Sequence, residues 1–211
     1  MLSLLTFLIL STKDTPLEQI TAEGSVFLAK SEENIVLKVP FVHQIDDLSE
    51  KEKPLVRTTA CGPAALTMLF RFHGTNVSLE EVIAKLPTTV YVKGQRFYNL
   101  YKGAEYFSMT STEIEKTPKS IFETLEKGEP IILNVQNYDG ITGHALVVVG
   151  MIGFDGEKAS SLVVHDPFVG PYRVFPYASE TTLDQPEGYK NYIGILNPFY
   201  VTEAADLLVL K

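Results

Sequence analysis

The chain has 211 residues, 45% of them hydrophobic, which is enough apolar material for one sizeable core and points to a single domain. A formal net charge of −8, from 18 Lys+Arg against 26 Asp+Glu, argues against a nucleic-acid groove, since such a groove needs clustered positive charge. One cysteine rules out an internal disulfide, and no Cys/His cluster with zinc-ligand spacing is present, so the sequence implies neither a metal nor any other cofactor.

Met1 to Leu10 is almost wholly apolar, as in the core of a secretory signal, but no basic residue precedes the run and no clear small-residue cleavage site follows it. Export to a periplasmic or extracellular location and residence in the cytoplasm both stay open. Ten residues are too few to span a bilayer. Gly24–Lys30 and Asn34–Lys38 read as a hairpin around Ser31-Glu32-Glu33, so residues 1–38 are expected to form an N-terminal extension. Val39-Pro40-Phe41-Val42-His43-Gln44 reads as a short extended segment. The stretch Ala64–Gly74 carries helix punctuation, with Pro63 at the first helical position and Gly74 just past the end, so a helix is expected to start at Cys61. Ser78-Leu79-Glu80-Glu81 is a capping box that should open a short helix to Leu86, with Pro87 as its stop. Phe97 to Phe107 is dense in aromatic residues that could line a cleft or simply pack. Thr117-Pro118 and Gly128 bracket a further helix, and Pro130–Val135 reads as a buried strand. Leu146–Ile152 and Ser161–Val164 are apolar runs of strand length around an Asp155-Gly156 turn signal, so they should pair antiparallel. Helices come first and hairpin strands follow, the pattern of an α+β fold. Residues 39–200 are assigned to the main domain and 201–211 to a C-terminal tail.

Four residues carry the chemistry. A cysteine at a helix start meets backbone N–H groups without intrahelical partners, which favour its thiolate and lower its pKa. Cys61 is therefore a candidate nucleophile, against the plainer alternative of a small buried apolar residue. If the hairpin turns near Asp155-Gly156, paired positions sum to about 311, and His144 lies almost opposite Asp166 at one end of the sheet. A general base needs an acceptor that orients it and stabilises the imidazolium, and this pair supplies both roles. Gln44 offers an amide donor which, with the Cys61 backbone N–H, could receive the negative oxygen formed when a thiolate attacks an acyl carbon. His165 adjoins Asp166 but faces the other side of the strand by alternation, and reads as a rim or packing residue; His43 and His73 also read as structural. Asn137, Tyr138 and Asp139 form a polar loop shortly before His144.

The order Val-Pro-x-x-x-Gln, Cys-Gly-Pro-Ala-Ala-Leu-Thr-Met-Leu, Gly-His-Ala-Leu-Val-Val-Val-Gly and His-Asp-Pro-Phe, from Val39 to Val174, resembles the bacteriocin-processing peptidase-like proteins, family 39 of the papain-like cysteine peptidases. The resemblance implies a papain-like α+β fold, cleavage of peptide bonds in a peptide or protein substrate, and roles for Cys61 as nucleophile, His144 as base, Asp166 as orienting acid and Gln44 in the oxyanion hole. Members linked to transporters place an aspartate directly before the cysteine and the glutamine a few residues upstream. Here Ala60 precedes Cys61, and Ile45–Pro54 fill a longer gap, which resembles the stand-alone branch. No long apolar span or phosphate-binding loop follows, so cleavage after a double glycine is not carried over. The same four residues would also serve acyl transfer or deamidation, and a peptidase fold without turnover would be a peptide-binding module. The sequence specifies no oligomeric state.

Overall fold

The computed structural model describes residues 25–56, 59–86, 97–115, 117–135, 144–179, 182–183, 199–200 and 207–210. Met1–Leu10, Pro87 and the Asn137–Asp139 loop lie outside them. Among the described residues no helix is long and apolar enough to cross a membrane.

The first hairpin joins β1 (Phe27–Lys30) to β2 (Ile35–Leu37), with Ser31 Oγ accepting from the Asn34 backbone N–H at 3.1 Å in the turn. Two residues of β2 then pair with β5 (His144–Ile152), so this hairpin belongs to the main sheet. The approach is close at Gly150, where a Cβ would stand 2.5 Å from the Ile35 carbonyl oxygen. A short helix α1 (Lys53–Val56) occupies the stretch between Gln44 and Cys61 that the sequence presented only as a gap.

Helix α2 (Cys61–Phe72) starts at the cysteine as its punctuation predicts. Its end is closed by Gly74 at φ +85°, with Thr75 N–H bonded to Phe70 O at 2.8 Å and Gly74 N–H to Arg71 O at 3.1 Å. This bond pair is the Schellman arrangement, and it needs the left-handed backbone that glycine adopts without penalty. Residues Gly62 to Phe70 of α2 are all buried. The capping box before α3 (Leu79–Lys85) is formed in both directions, Ser78 Oγ accepting from Glu81 N–H and Glu81 Oε2 from Ser78 N–H. The aromatic stretch forms α4 (Phe97–Tyr106), whose Gly103 packs against Leu66 and Leu86 and after which the Phe107 ring lies tilted against Phe70 with centroids 4.5 Å apart. Thr117 caps α5 (Pro118–Glu126) with Pro118 in its first turn.

The remaining strands are β3 (Ser111–Glu113), β4 (Ile131–Val135), β6 (Ser161–Asp166), β7 (Gly170–Ser179), β8 (Thr182–Leu183), β9 (Phe199–Tyr200) and β10 (Leu207–Leu210). Their order is β3-β10-β4-β5-β6-β7-β8-β9, with antiparallel neighbours throughout. The C-terminal residues expected as a tail thus include β10, which sits between β3 and β4 inside the sheet. Helix α2 packs on β5, α5 packs across β5 and β2, and α3 and α4 flank α2. The core lies between these helices and the sheet and includes Leu66, Met68, Leu69 and Phe70 of α2 and the successive buried residues Leu146, Val147, Val148 and Val149 of β5.

Candidate active site

Hairpin closure brings two of the four residues together. The β5–β6 loop runs through Gly153 to Ser160, and a bulge interrupts the ladder between Val148 and Gly150. Val147 stands opposite His165, so paired positions sum to one or two more than the simple turn predicts. Asp166 accordingly lies level with Leu146, diagonal to His144 and on the same face, within reach of two polar side chains. His144 Nε2 donates to Asp166 Oδ1 at 2.9 Å, with both residues buried. The same Oδ1 accepts from the Phe168 backbone N–H at 2.8 Å, which holds the carboxylate against the β6–β7 turn.

Docking of α2 on β5 brings the third. Cys61 is half-buried at the helix start, and the His144 side chain and the backbone N–H groups of Ala145 and Gly62 all act on its sulfur to favour the thiolate. His144 Nε2 is committed to the carboxylate, which leaves Nδ1 as the nitrogen for sulfur. Burial pushes the Cys61 thiol up, but the His144 hydrogen bond, the imidazolium charge and the two backbone donors together outweigh it, and its pKa falls below the ordinary value. Burial also disfavours the charged His144 ring. The Asp166 charge and hydrogen bond, followed by the interactions with Cys61, prevail and raise its pKa to about 10. Both shifts favour a thiolate–imidazolium pair at neutral pH. The Gly62 donor is the helix terminus legible in the sequence. The Ala145 donor is not, because only packing of β5 against α2 brings that N–H to the sulfur.

Gln44 is buried on the segment that leaves β2, and its backbone N–H donates to Pro167 O at 2.8 Å, one residue beyond Asp166. His43 Nε2 pairs with Phe168 O at 3.1 Å while its Nδ1 accepts from Ile45 and Asp46 N–H. The Gln44 segment is thereby fastened to the turn that holds the carboxylate. His165 does face away from Asp166, as alternation requires, but it is fully buried where the sequence left open a place at the rim. His73 closes the last turn of α2, its N–H bonded to Leu69 O. Among the described residues no group of three or more His, Cys, Asp or Glu could hold a metal ion.

The buried imidazole–carboxylate pair beside a helix-terminal thiol, on a curled antiparallel sheet packed by helices, belongs to a cysteine peptidase-like fold. The model of the peptidase C39-like family matches residues 36–184, and the chain belongs to that family. No curated protein matches significantly. Similar solved structures include a double glycine motif protease from an AMS/PCAT transporter in complex with a leader peptide, at 20% identity over 82% of this chain and 91% of that one, with a TM-score of 0.46. The peptidase domain of Streptococcus ComA, a bifunctional ABC transporter of a quorum sensing pathway, is similar at 17% identity over 82% and 96%, with a TM-score of 0.49. That of Streptococcus mutans ComA is similar at 16% identity over 81% and 98%, with a TM-score of 0.42.

Proposed function

We propose that the protein is a cysteine peptidase in which Cys61 is the nucleophile, His144 the general acid and base, Asp166 the orienting carboxylate and Gln44 an oxyanion donor. The observation that carries this reading is the buried His144–Asp166 hydrogen bond coupled to Cys61 at the start of α2, with the cysteine pKa moved down and the histidine pKa moved up. The Cys61 thiolate adds to a peptide carbonyl carbon, and the oxygen takes the negative charge beside the Gln44 amide and the Cys61 backbone N–H. The imidazolium gives its proton to the departing amine as the C–N bond breaks, leaving a thioester on Cys61. His144 then takes a proton from water, whose oxygen attacks the thioester. The new acid leaves, and the thiolate–imidazolium pair is restored.

Iodoacetamide labelling of Cys61 across pH tests the pair, read by mass spectrometry alongside hydrolysis of a fluorogenic peptide library. Labelling should follow an apparent pKa well below about 8.5 in wild type and return towards that value in His144→Ala. Peptide hydrolysis should vanish in Cys61→Ala. Labelling that is slow and indifferent to the His144 substitution would make Cys61 a packing residue and remove the peptidase reading.

A further inference from the structure

The family resemblance assigns no role to His165, yet this ring joins three segments that meet behind the site. It projects from β6 on the face opposite to Asp166. Its Nε2 lies 3.0 Å from Val39 O, at the start of the segment that leads to Gln44. Its Nδ1 accepts from the Tyr172 backbone N–H at 3.0 Å. Tyr172 has φ +50°, a left-handed conformation that is uncommon for a bulky residue, and it sits in the β6–β7 irregularity between Val164 and Asp166. The rings of Phe41 and Tyr172 stand edge-on to the imidazole at 5.6 and 4.4 Å.

With Nδ1 receiving a backbone N–H, the ring proton must sit on Nε2, where it donates to Val39 O. This tautomer is neutral, and burial supports it by pushing the His165 pKa down to about 4. One end of the Val39–Gln44 segment is therefore held by His165. The other end is held by the bond from Gln44 N–H to Pro167 O and by His43 against Phe168 O. All three anchor points lie within residues 165–168, the stretch that carries Asp166.

We propose that His165 is a positioning residue, whose Nε2–H bond to Val39 O sets the segment that delivers the Gln44 side chain to the oxyanion site. The proposal rests on the peptidase reading, and its function is to couple the oxyanion donor to the strand that orients His144.

Two reactions of the same sulfur separate the roles. Iodoacetamide alkylation forms the S–CH2 bond as iodide leaves and creates no oxyanion. Acylation by p-nitrophenyl acetate passes through one before p-nitrophenolate leaves and a thioester remains. His165→Phe keeps a planar aromatic ring, somewhat larger than the imidazole, and removes both hydrogen bonds. It should slow acylation about tenfold or more, a part of the roughly 100- to 1,000-fold that loss of a whole oxyanion donor costs, and leave alkylation within about twofold of wild type. His165→Gln returns a donor near the Nε2 position and should recover most of the acylation rate. His165→Asn returns only the acceptor for Tyr172 N–H and should not. Gln44→Ala should show the same split between the two reactions, and adding His165→Phe to it should cost little more, because the two residues act through one donor.

Equal acylation by wild type and the folded His165 variants, or equal losses in the Gln and Asn variants, would overturn the positioning role and leave the peptidase reading standing. Additive losses in the double variant would overturn it too. A wild-type protein that is alkylated but never acylated would defeat the peptidase reading and this proposal with it.

Discussion

Asp166→Asn isolates the charge at the back of the site. In the native protein one oxygen, Oδ1, accepts both from His144 Nε2 at 2.9 Å and from Phe168 N–H at 2.8 Å. An asparagine whose carbonyl oxygen takes that place keeps both hydrogen bonds, loses the negative charge and exchanges the acceptor Oδ2 for an amide donor. The charge on a buried hydrogen-bonded partner contributes about 1.5–3 kcal/mol through charge assistance of the bond and Coulomb attraction, and at about 1.36 kcal/mol per pKa unit its loss moves the pair by about 1–2 units. The Asp166 charge is the leading contribution that raises His144, so the His144 pKa should fall by that amount. Cys61 is lowered chiefly by its hydrogen bond to His144, so its apparent pKa should rise correspondingly. The assay is the pH profile of iodoacetamide labelling. Below the wild-type apparent pKa the variant should react about 10- to 100-fold more slowly, and at a pH above both apparent values the two proteins should converge as both cysteines ionise. Peptide hydrolysis should stay depressed there, since the weakened imidazolium no longer holds a proton for the leaving amine. A folded variant whose labelling profile overlays that of wild type would show that Asp166 does not control the pair, and the argument from its geometry would fail.

Acid should destabilise the fold through His165, which ionises near 6.5 in the unfolded chain but at about 4 when folded. Between those values the unfolded state binds more protons, so stability present above pH 6.5 is lost as pH falls to 4, by about 3 kcal/mol. Urea unfolding at stepped pH should show that slope in wild type and a flatter one in His165→Gln; equal slopes would refute the assignment. Gly150→Ala places a Cβ 2.5 Å from Ile35 O and 3.1 Å from Val36 Cα. The β2–β5 contact must then shift, lowering stability by about 1–3 kcal/mol in urea titrations, and an unchanged midpoint would mean that the two strands separate without cost.

Local signals carried much of the architecture. Pro63 and Gly74 bound α2, Ser78 and Glu81 cap α3, and Thr117-Pro118 opens α5, each through bonds between residues only a few positions apart. The Asp155-Gly156 turn likewise made the approach of His144 and Asp166 legible, because a hairpin brings together residues whose separation its own loop determines. Even there the bulge beside Val149 moved the register, since bulges answer to packing against β2 as much as to the turn. The site beyond the hairpin was a different matter. Ala145 N–H reaches sulfur only because α2 docks on β5, and Gln44 is tied beside Asp166 by the carbonyl of Pro167, which any residue would possess. Leu207–Leu210 enters the sheet between β3 and β4, although nothing in its four residues names those partners. By itself the sequence determined where helices begin and end and which two polar residues one hairpin would join, because caps, turns and alternation act over a few bonds. Only the tertiary structure decided how the thiol, the glutamine segment and the last strand meet that hairpin, because burial of apolar faces is non-directional and selects partners by the fit of the whole core.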